Sequence, residues 1–169
     1  MITHLIVDVD GTLTDSGIYY DNNGNEIKKF SSKDGLGLKV AKAAGIKLIV
    51  LTGRESIAVI QRMNELNVDI LVQNVKNKAE WLVKFMDENN LNKTRIGYIG
   101  DDLNDLSAMR LCGVIGCPAD ACKEVKSNAD YISTIAGGHG AVRDCIEQFL
   151  SVDGTWEKII EDACLLTAI

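Results

Sequence analysis

Three short apolar runs, each stopping on a cluster of polar residues, constrain this chain more than anything else in it. Leu5-Ile6-Val7 runs into Asp8-Val9-Asp10-Gly11-Thr12, and Ile46 to Leu51 runs into Thr52-Gly53-Arg54. Ile96 to Ile99 runs into Gly100-Asp101-Asp102-Leu103-Asn104-Asp105. Apolar runs of this length, closed by turn formers, read as buried strands. The segments between them have helical length and period, and strands alternating with helices imply an α/β doubly wound, Rossmann-like parallel sheet. Right-handed crossovers in such a sheet bring the carboxyl ends of all strands to one edge, where ligands bind. Three polar clusters far apart in sequence are therefore expected to meet.

Smaller signals fill in the order. Ser16 to Phe30 carries two β-prone arms around Asp21-Asn22-Asn23-Gly24-Asn25, which predicts a β-hairpin insertion at about residues 17–30. Asp34 to Ala44 reads as a helix with Asp34 as N-cap and Gly45 as its stop. Glu55 to Leu66 reads as a helix with Ile57, Ile60 and Met63 on its apolar face, followed by a strand from Asp69 to Val72. Asn77 to Asn89 places Trp81, Leu82, Phe85 and Met86 at helical spacing, a core stripe. Helices at 103–111 and 121–127, strands at 114–116 and 131–132, and a helix opened by Gly137-Gly138-His139-Gly140 and running to Leu150 complete a domain over 1–150. Residues 151–169 form a C-terminal tail with an amphipathic helix from Thr155 to Leu166. The intervals between motifs hold single helices and strands, so no cap domain fits. An enzyme that must exclude water then needs a cover from elsewhere, and the hairpin and C-terminal segment of a neighbouring subunit are the candidates.

The chain has 169 residues and is 46% apolar, enough for a substantial core. No stretch is long and apolar enough for a membrane span, and no leader precedes the first strand, so the expected location is the cytoplasm. A net charge of −6 argues against a nucleic-acid surface. It also means that an anionic substrate needs local cations or a metal. Cys112, Cys117, Cys122, Cys145 and Cys164 lack paired metal-site spacing and read as reduced packing thiols.

Side chains alternate along a strand, so Asp8 and Asp10 share one side while Val9 points away. One carboxylate can then attack as a nucleophile while the other moves protons, a division suited to phosphoryl transfer. Each motif residue has a plainer reading. The acids could form a turn after a strand, Thr52 could cap the next helix, and Lys78 could be a solvated surface lysine. Asp101 to Asp105 could cap a helix and complement its dipole.

Taken together and in this order, Asp8-Val9-Asp10-Gly11-Thr12, Thr52, Lys78 and Gly100-Asp101-Asp102-Leu103-Asn104-Asp105 resemble the four motifs of the haloacid dehalogenase superfamily of phosphatases, over roughly residues 1–150. The missing cap, the hairpin and Gly137-Gly138-His139-Gly140-Ala141-Val142-Arg143 resemble its branch of sugar-acid phosphatases. That resemblance implies Asp8 as nucleophile, Asp10 as general acid and then base, and Thr52 and Lys78 as phosphate-gripping groups. It implies Mg²⁺ held by Asp8, the Asp10 carbonyl and Asp101, with Asp102 and Asp105 orienting ligands and water. The implied substrate is a small phosphorylated sugar acid, with Arg54 and Arg62 as candidate binders of its carboxylate. Arg62 could equally pair with Glu65 or Glu55 on its own helix. Relatives specific for nine-carbon acids tend to carry Glu at position 54 and Lys at position 65. This chain has neither, which favours the eight-carbon acid, 3-deoxy-D-manno-octulosonate 8-phosphate; Glu65 is not diagnostic of that substrate, and a different sugar acid or a broad phosphatase stays open. The resemblance further implies a homotetramer with shared active sites, in which Lys33 and Arg143 are candidates to act across a subunit boundary and His139 is structural or interfacial. The alternatives are a nine-carbon sugar-acid phosphatase, a non-catalytic domain linked to sialic acid activation, and a phospho-acceptor signalling domain.

Overall fold

The computed structural model describes residues 2–152 and 154–161. Strand β1 (His4–Val7) leads into a hairpin of β2 (Tyr19–Tyr20) and β3 (Glu26–Ile27). Helices and strands then alternate through α1 (Ser32–Ala43), β4 (Lys47–Leu51), α2 (Ile57–Glu65), β5 (Ile70–Val72), α3 (Lys78–Asn89) and β6 (Ile96–Ile99). The chain continues through α4 (Leu103–Met109), β7 (Val114–Cys117), α5 (Lys123–Lys126), β8 (Tyr131–Ile132), α6 (Ala141–Ser151) and α7 (Thr155–Glu161). The main sheet has six strands in the order β5-β4-β1-β6-β7-β8, all parallel. This is the doubly wound α/β sheet expected above, and its winding reverses between β1 and β6, where such sheets open a crevice.

Register sets the height of every functional group. Val7 pairs with Val50 on one side and Ile99 on the other, so β1 and β6 stop level and β4 runs one residue further. Thr52 and Asp101 then each lie two residues past Val7's partners. The sheet is covered on both faces, which is why its strands are nearly continuous in apolar residues. Leu5, Val7, Leu48 and Val50 pack with Leu38 of α1 and Val142 and Ile146 of α6. Ile6, Ile49 and Tyr98 pack on the other face with Leu82 of α3 and Met109 of α4.

Several local expectations change. Helix α1 is capped by Ser31, whose Oγ accepts from the Lys33 N–H at 3.2 Å. Asp34 is buried inside the first turn and accepts instead from the N–H groups of Gly140 (3.1 Å) and Arg143 (3.0 Å), so it caps α6 from across the core. Capping rules consult only the local chain, whereas this carboxylate satisfies donors more than a hundred residues away. Gly37 lets the two helices touch, since a Cβ there would lie 2.8 Å from the Arg143 Cα. On α2 the buried residues are Val59 and Met63, and Ile57 is 83% exposed. The hairpin arms pair over two residues each, and Asp21 Oδ1 organises the loop by accepting from Asn23 and Asn25 N–H, both at 2.8 Å. Cys112, Cys117, Cys122 and Cys145 are free thiols, while Cys164 and the end of the expected tail helix lie outside the described residues. Among the described residues no helix is long and apolar enough to cross a membrane.

Candidate active site

Past β1 the chain makes one wide turn, Val9–Leu13, closed by the Thr14 N–H donating to the Val9 carbonyl at 3.0 Å. Gly11 sits in it at φ +94°, and a Cβ there would come within 2.0 Å of Asp101 Oδ2. Only glycine combines that backbone with that approach. The loop before α6 braces the turn from outside. The Gly138 N–H donates to the Thr12 carbonyl (3.1 Å), and a Cβ on Gly137 would lie 1.9 Å from the Gly11 carbonyl oxygen. The Gly137-Gly138-His139-Gly140 segment thus lets one loop lie directly against another backbone. His139 Nδ1 is 2.7 Å from the Gly137 carbonyl and its Nε2 is 3.0 Å from Lys29 Nζ.

Behind this turn lies a buried charge cluster. Lys78, the first residue of α3, donates to Asp8 Oδ1 at 2.5 Å and to Asp105 Oδ1 at 2.6 Å. Tyr98, buried on β6, donates its hydroxyl to the same Asp105 oxygen at 2.8 Å. The other Asp105 oxygen accepts from the Asp101 N–H at 3.2 Å and the Asp102 N–H at 3.4 Å. Thr12 donates to Asp101 Oδ1 at 2.9 Å. Burial pushes Asp8 well above the usual carboxylate range, reinforced by Asp105 and opposed by Lys78. Burial, with repulsion from Asp105 and Asp102, pushes Asp101 up to about 7 against the hydrogen bond from Thr12. Burial alone would lower Lys78, but the Asp8 and Asp105 carboxylates outweigh it and raise it, so the ammonium stays charged.

Asp10 stands at the rim. Its Oδ1 pairs with Lys28, whose side chain is 1% exposed, and its Oδ2 lies 3.9 Å from Arg54 Nε. Glu26 Oε1 accepts from the Arg54 guanidinium at 2.7 Å and lies 3.4 Å from Lys28 Nζ. Glu26, Lys28 and Phe30 share one side of the hairpin arm by their spacing of two, and Phe30 packs on the core. That spacing is the one signal in the sequence for Lys28 and Glu26, which lie outside the recognisable motifs. Nothing in the sequence announces the contacts of Thr12 and Tyr98.

The structure brings Asp8, Asp10, Thr52, Arg54, Lys78, Asp101 and Asp105 to one edge of the sheet. Thr52 is buried, and its hydroxyl accepts from the Arg54 N–H at 3.4 Å. Ser56 is the residue that precedes α2. Asp102 is exposed and caps α4, accepting from the Leu103 N–H at 2.8 Å. Arg62 is not drawn into the cluster. It pairs with Glu65 at 3.1 Å and lines a separate cleft with Ser32, Gly35, Lys39 and Leu66.

Asp8, Asp101 and Asp105 each offer a carboxylate oxygen, all within 4.8 Å of one another. Three crowded oxygen anions with one ammonium between them are poorly compensated, and the hard donor set suits a small divalent cation such as Mg²⁺. The model of the haloacid dehalogenase-like hydrolase family matches residues 5–76 and 68–143. The 3-deoxy-D-manno-octulosonate 8-phosphate phosphatase KdsC of Escherichia coli K12 is 37% identical over 154 residues, covering 91% of this chain and 82% of the relative. The Haemophilus influenzae KdsC is 36% identical over 153 residues, covering 90% and 85%. Among solved structures, the Moraxella catarrhalis phosphatase of the same name, in complex with magnesium, phosphate and KDO, superposes with a TM-score of 0.90 at 37% identity, covering 95% and 92% of the two chains. The cobalt-bound Haemophilus influenzae enzyme gives 0.89 at 34% identity over 98% and 96%.

Proposed function

The chain belongs to the haloacid dehalogenase-like hydrolases, and from that premise we propose a Mg²⁺-dependent phosphatase that hydrolyses 3-deoxy-D-manno-octulosonate 8-phosphate through an aspartyl phosphate. One observation carries the reading: a buried Asp8 at the end of the central strand, gripped through one oxygen by Lys78 and flanked by Asp101 and Asp105. A carboxylate held in one rotamer, next to an ammonium that offsets incoming phosphate charge, is arranged for in-line attack. Asp8 attacks phosphorus as the ester oxygen departs. Asp10, two residues on and at the rim, gives that oxygen its proton and later takes one from the water that cleaves the acyl phosphate. Thr52 and Lys78 hold phosphoryl oxygens. Both Asp105 oxygens are engaged by Lys78, Tyr98 and backbone N–H groups, so Asp105 orients its neighbours. Asp8, Asp101 and the Asp10 carbonyl are the groups that would hold Mg²⁺. When bound, the ion screens the approaching anions and polarises a phosphoryl oxygen.

Arg54, beside Asp10, is placed to receive the sugar-acid carboxylate in exchange for Glu26. Asp102 steadies α4 and, through it, the Asp101 to Asp105 loop. Arg62 would meet a substrate only where a neighbouring subunit presents one. The test is phosphate release from eight- and nine-carbon 2-keto-3-deoxy sugar acid phosphates, with and without Mg²⁺. The eight-carbon ester is expected to be preferred by about tenfold or more in kcat/KM, the discrimination a few altered contacts supply. Release from neither ester would refute the reading.

The working form is a cytoplasmic homotetramer whose subunits cover one another's sites. What supports this is the hairpin, on which Ile18, Tyr19, Tyr20 and Ile27 are all exposed, Tyr20 by 62%. Dilution to dissociated subunits is expected to lower specific activity in step with the tetramer fraction, followed by light scattering and initial rates. Full activity in isolated monomers would exclude the shared cover.

A further inference from the structure

We infer that Lys28, on the protein's own hairpin, is a positioning residue for proton transfer: it holds the Asp10 carboxyl in the orientation that serves the departing oxygen. The inference rests on the assignment of Asp10 as acid and base made above. Asp10 occupies a turn that leaves the sheet, so no strand partner fixes its side chain, and it remains 27% exposed. A carboxyl at such a rim can turn to solvent, and proton transfer fails when its geometry drifts. Lys28 reaches in from the hairpin and ends on Asp10 Oδ1. Burying a lysine side chain to 1% exposure is costly unless its charge is paired, and here Asp10 and Glu26 pair it. Glu26 in turn holds Arg54, whose Nε faces the other Asp10 oxygen. The hairpin thereby clamps the carboxyl from two directions. Phe30, packed on the core two residues beyond Lys28, anchors the arm that carries it.

Esters with poor leaving groups depend on a positioned acid, whereas esters with good leaving groups do not. We would therefore measure kcat/KM for the wild type, Lys28→Met, Lys28→Arg and Asp10→Asn on a series of aryl phosphates of graded leaving-group acidity, none bearing a carboxylate, alongside the sugar-acid phosphate. Lys28→Met is expected to lose about 10- to 100-fold on the sugar-acid phosphate, part of the 10²–10⁴ that acid catalysis supplies. Its dependence on leaving-group acidity should steepen as that of Asp10→Asn does. It should remain near wild type on p-nitrophenyl phosphate, which also reports that it has folded, and Lys28→Arg should recover most of the loss. An equal loss across the aryl series, with the wild-type slope, would overturn the inference and leave Lys28 a general support. A wild-type slope in Asp10→Asn would overturn the acid–base assignment itself, and the inference with it.

Discussion

Asp8→Asn is expected to lower turnover by at least about 10⁴-fold, because it replaces the anionic oxygen proposed to form the covalent link with a neutral amide while keeping the side chain's shape. The informative part is what the same substitution does to stability. Asp8 is buried among Asp105 and Asp101, and its ionised form is disfavoured there. A neutral amide relieves that repulsion, although it weakens the contact with Lys78. The metal-free variant should melt at or above the wild-type temperature, in thermal unfolding run beside single-turnover assays. Loss of activity with unchanged folding would place Asp8 in the chemistry. Substantial residual turnover would remove it from that role.

Chelating Mg²⁺ is expected to silence the enzyme, and the metal's hold should weaken as pH falls below about 7. In the metal-free protein Asp101 is pushed up to about 7, so below that pH a proton competes with the ion for the carboxylate. Affinity should drop at least about tenfold for each pH unit below it, because Asp8, the other carboxylate ligand, is also pushed up and protons compete at both. The effect on folding has the opposite sign to that of an ordinary salt-bridged carboxylate. Between the unfolded value of 3.8 and about 7 the folded state carries more protons at Asp101. This group therefore adds stability to the metal-free protein as pH falls through 7, and that contribution is lost as pH rises again. Melting curves at pH 5.5 and 7.5, with and without Mg²⁺, should show a larger metal-induced rise at 7.5. Equal rises would mean that Asp101 is not a ligand.

Much of the site can be read from the sequence because its residues obey rules of spacing. Asp8, Thr52 and Asp101 each follow an apolar run, and a parallel sheet in which Val7 pairs with both Val50 and Ile99 brings those endings to one edge. Lys78 could be found only through its resemblance to a motif, since nothing in a helix-opening lysine announces burial. What stayed hidden depends on tertiary packing. Asp34 looks like the cap of its own helix but serves α6, because Ser31 supplies the cap one turn earlier. Tyr98 reads as a strand residue, and its hydroxyl finds Asp105 only because α4 folds back over β6. Ile57 follows helical spacing yet faces outward, because α2 turns Val59 and Met63 inward instead.

The close fit between the Gly137 loop and the Gly11 carbonyl has a consequence for biosynthesis. The ribosome delivers the turn after β1 first and its brace more than a hundred residues later, so a nascent chain holds Asp8, the proposed nucleophile, long before it can hold the geometry around it. A stalled or proteolysed product ending short of that loop would bear every motif residue and still be inert.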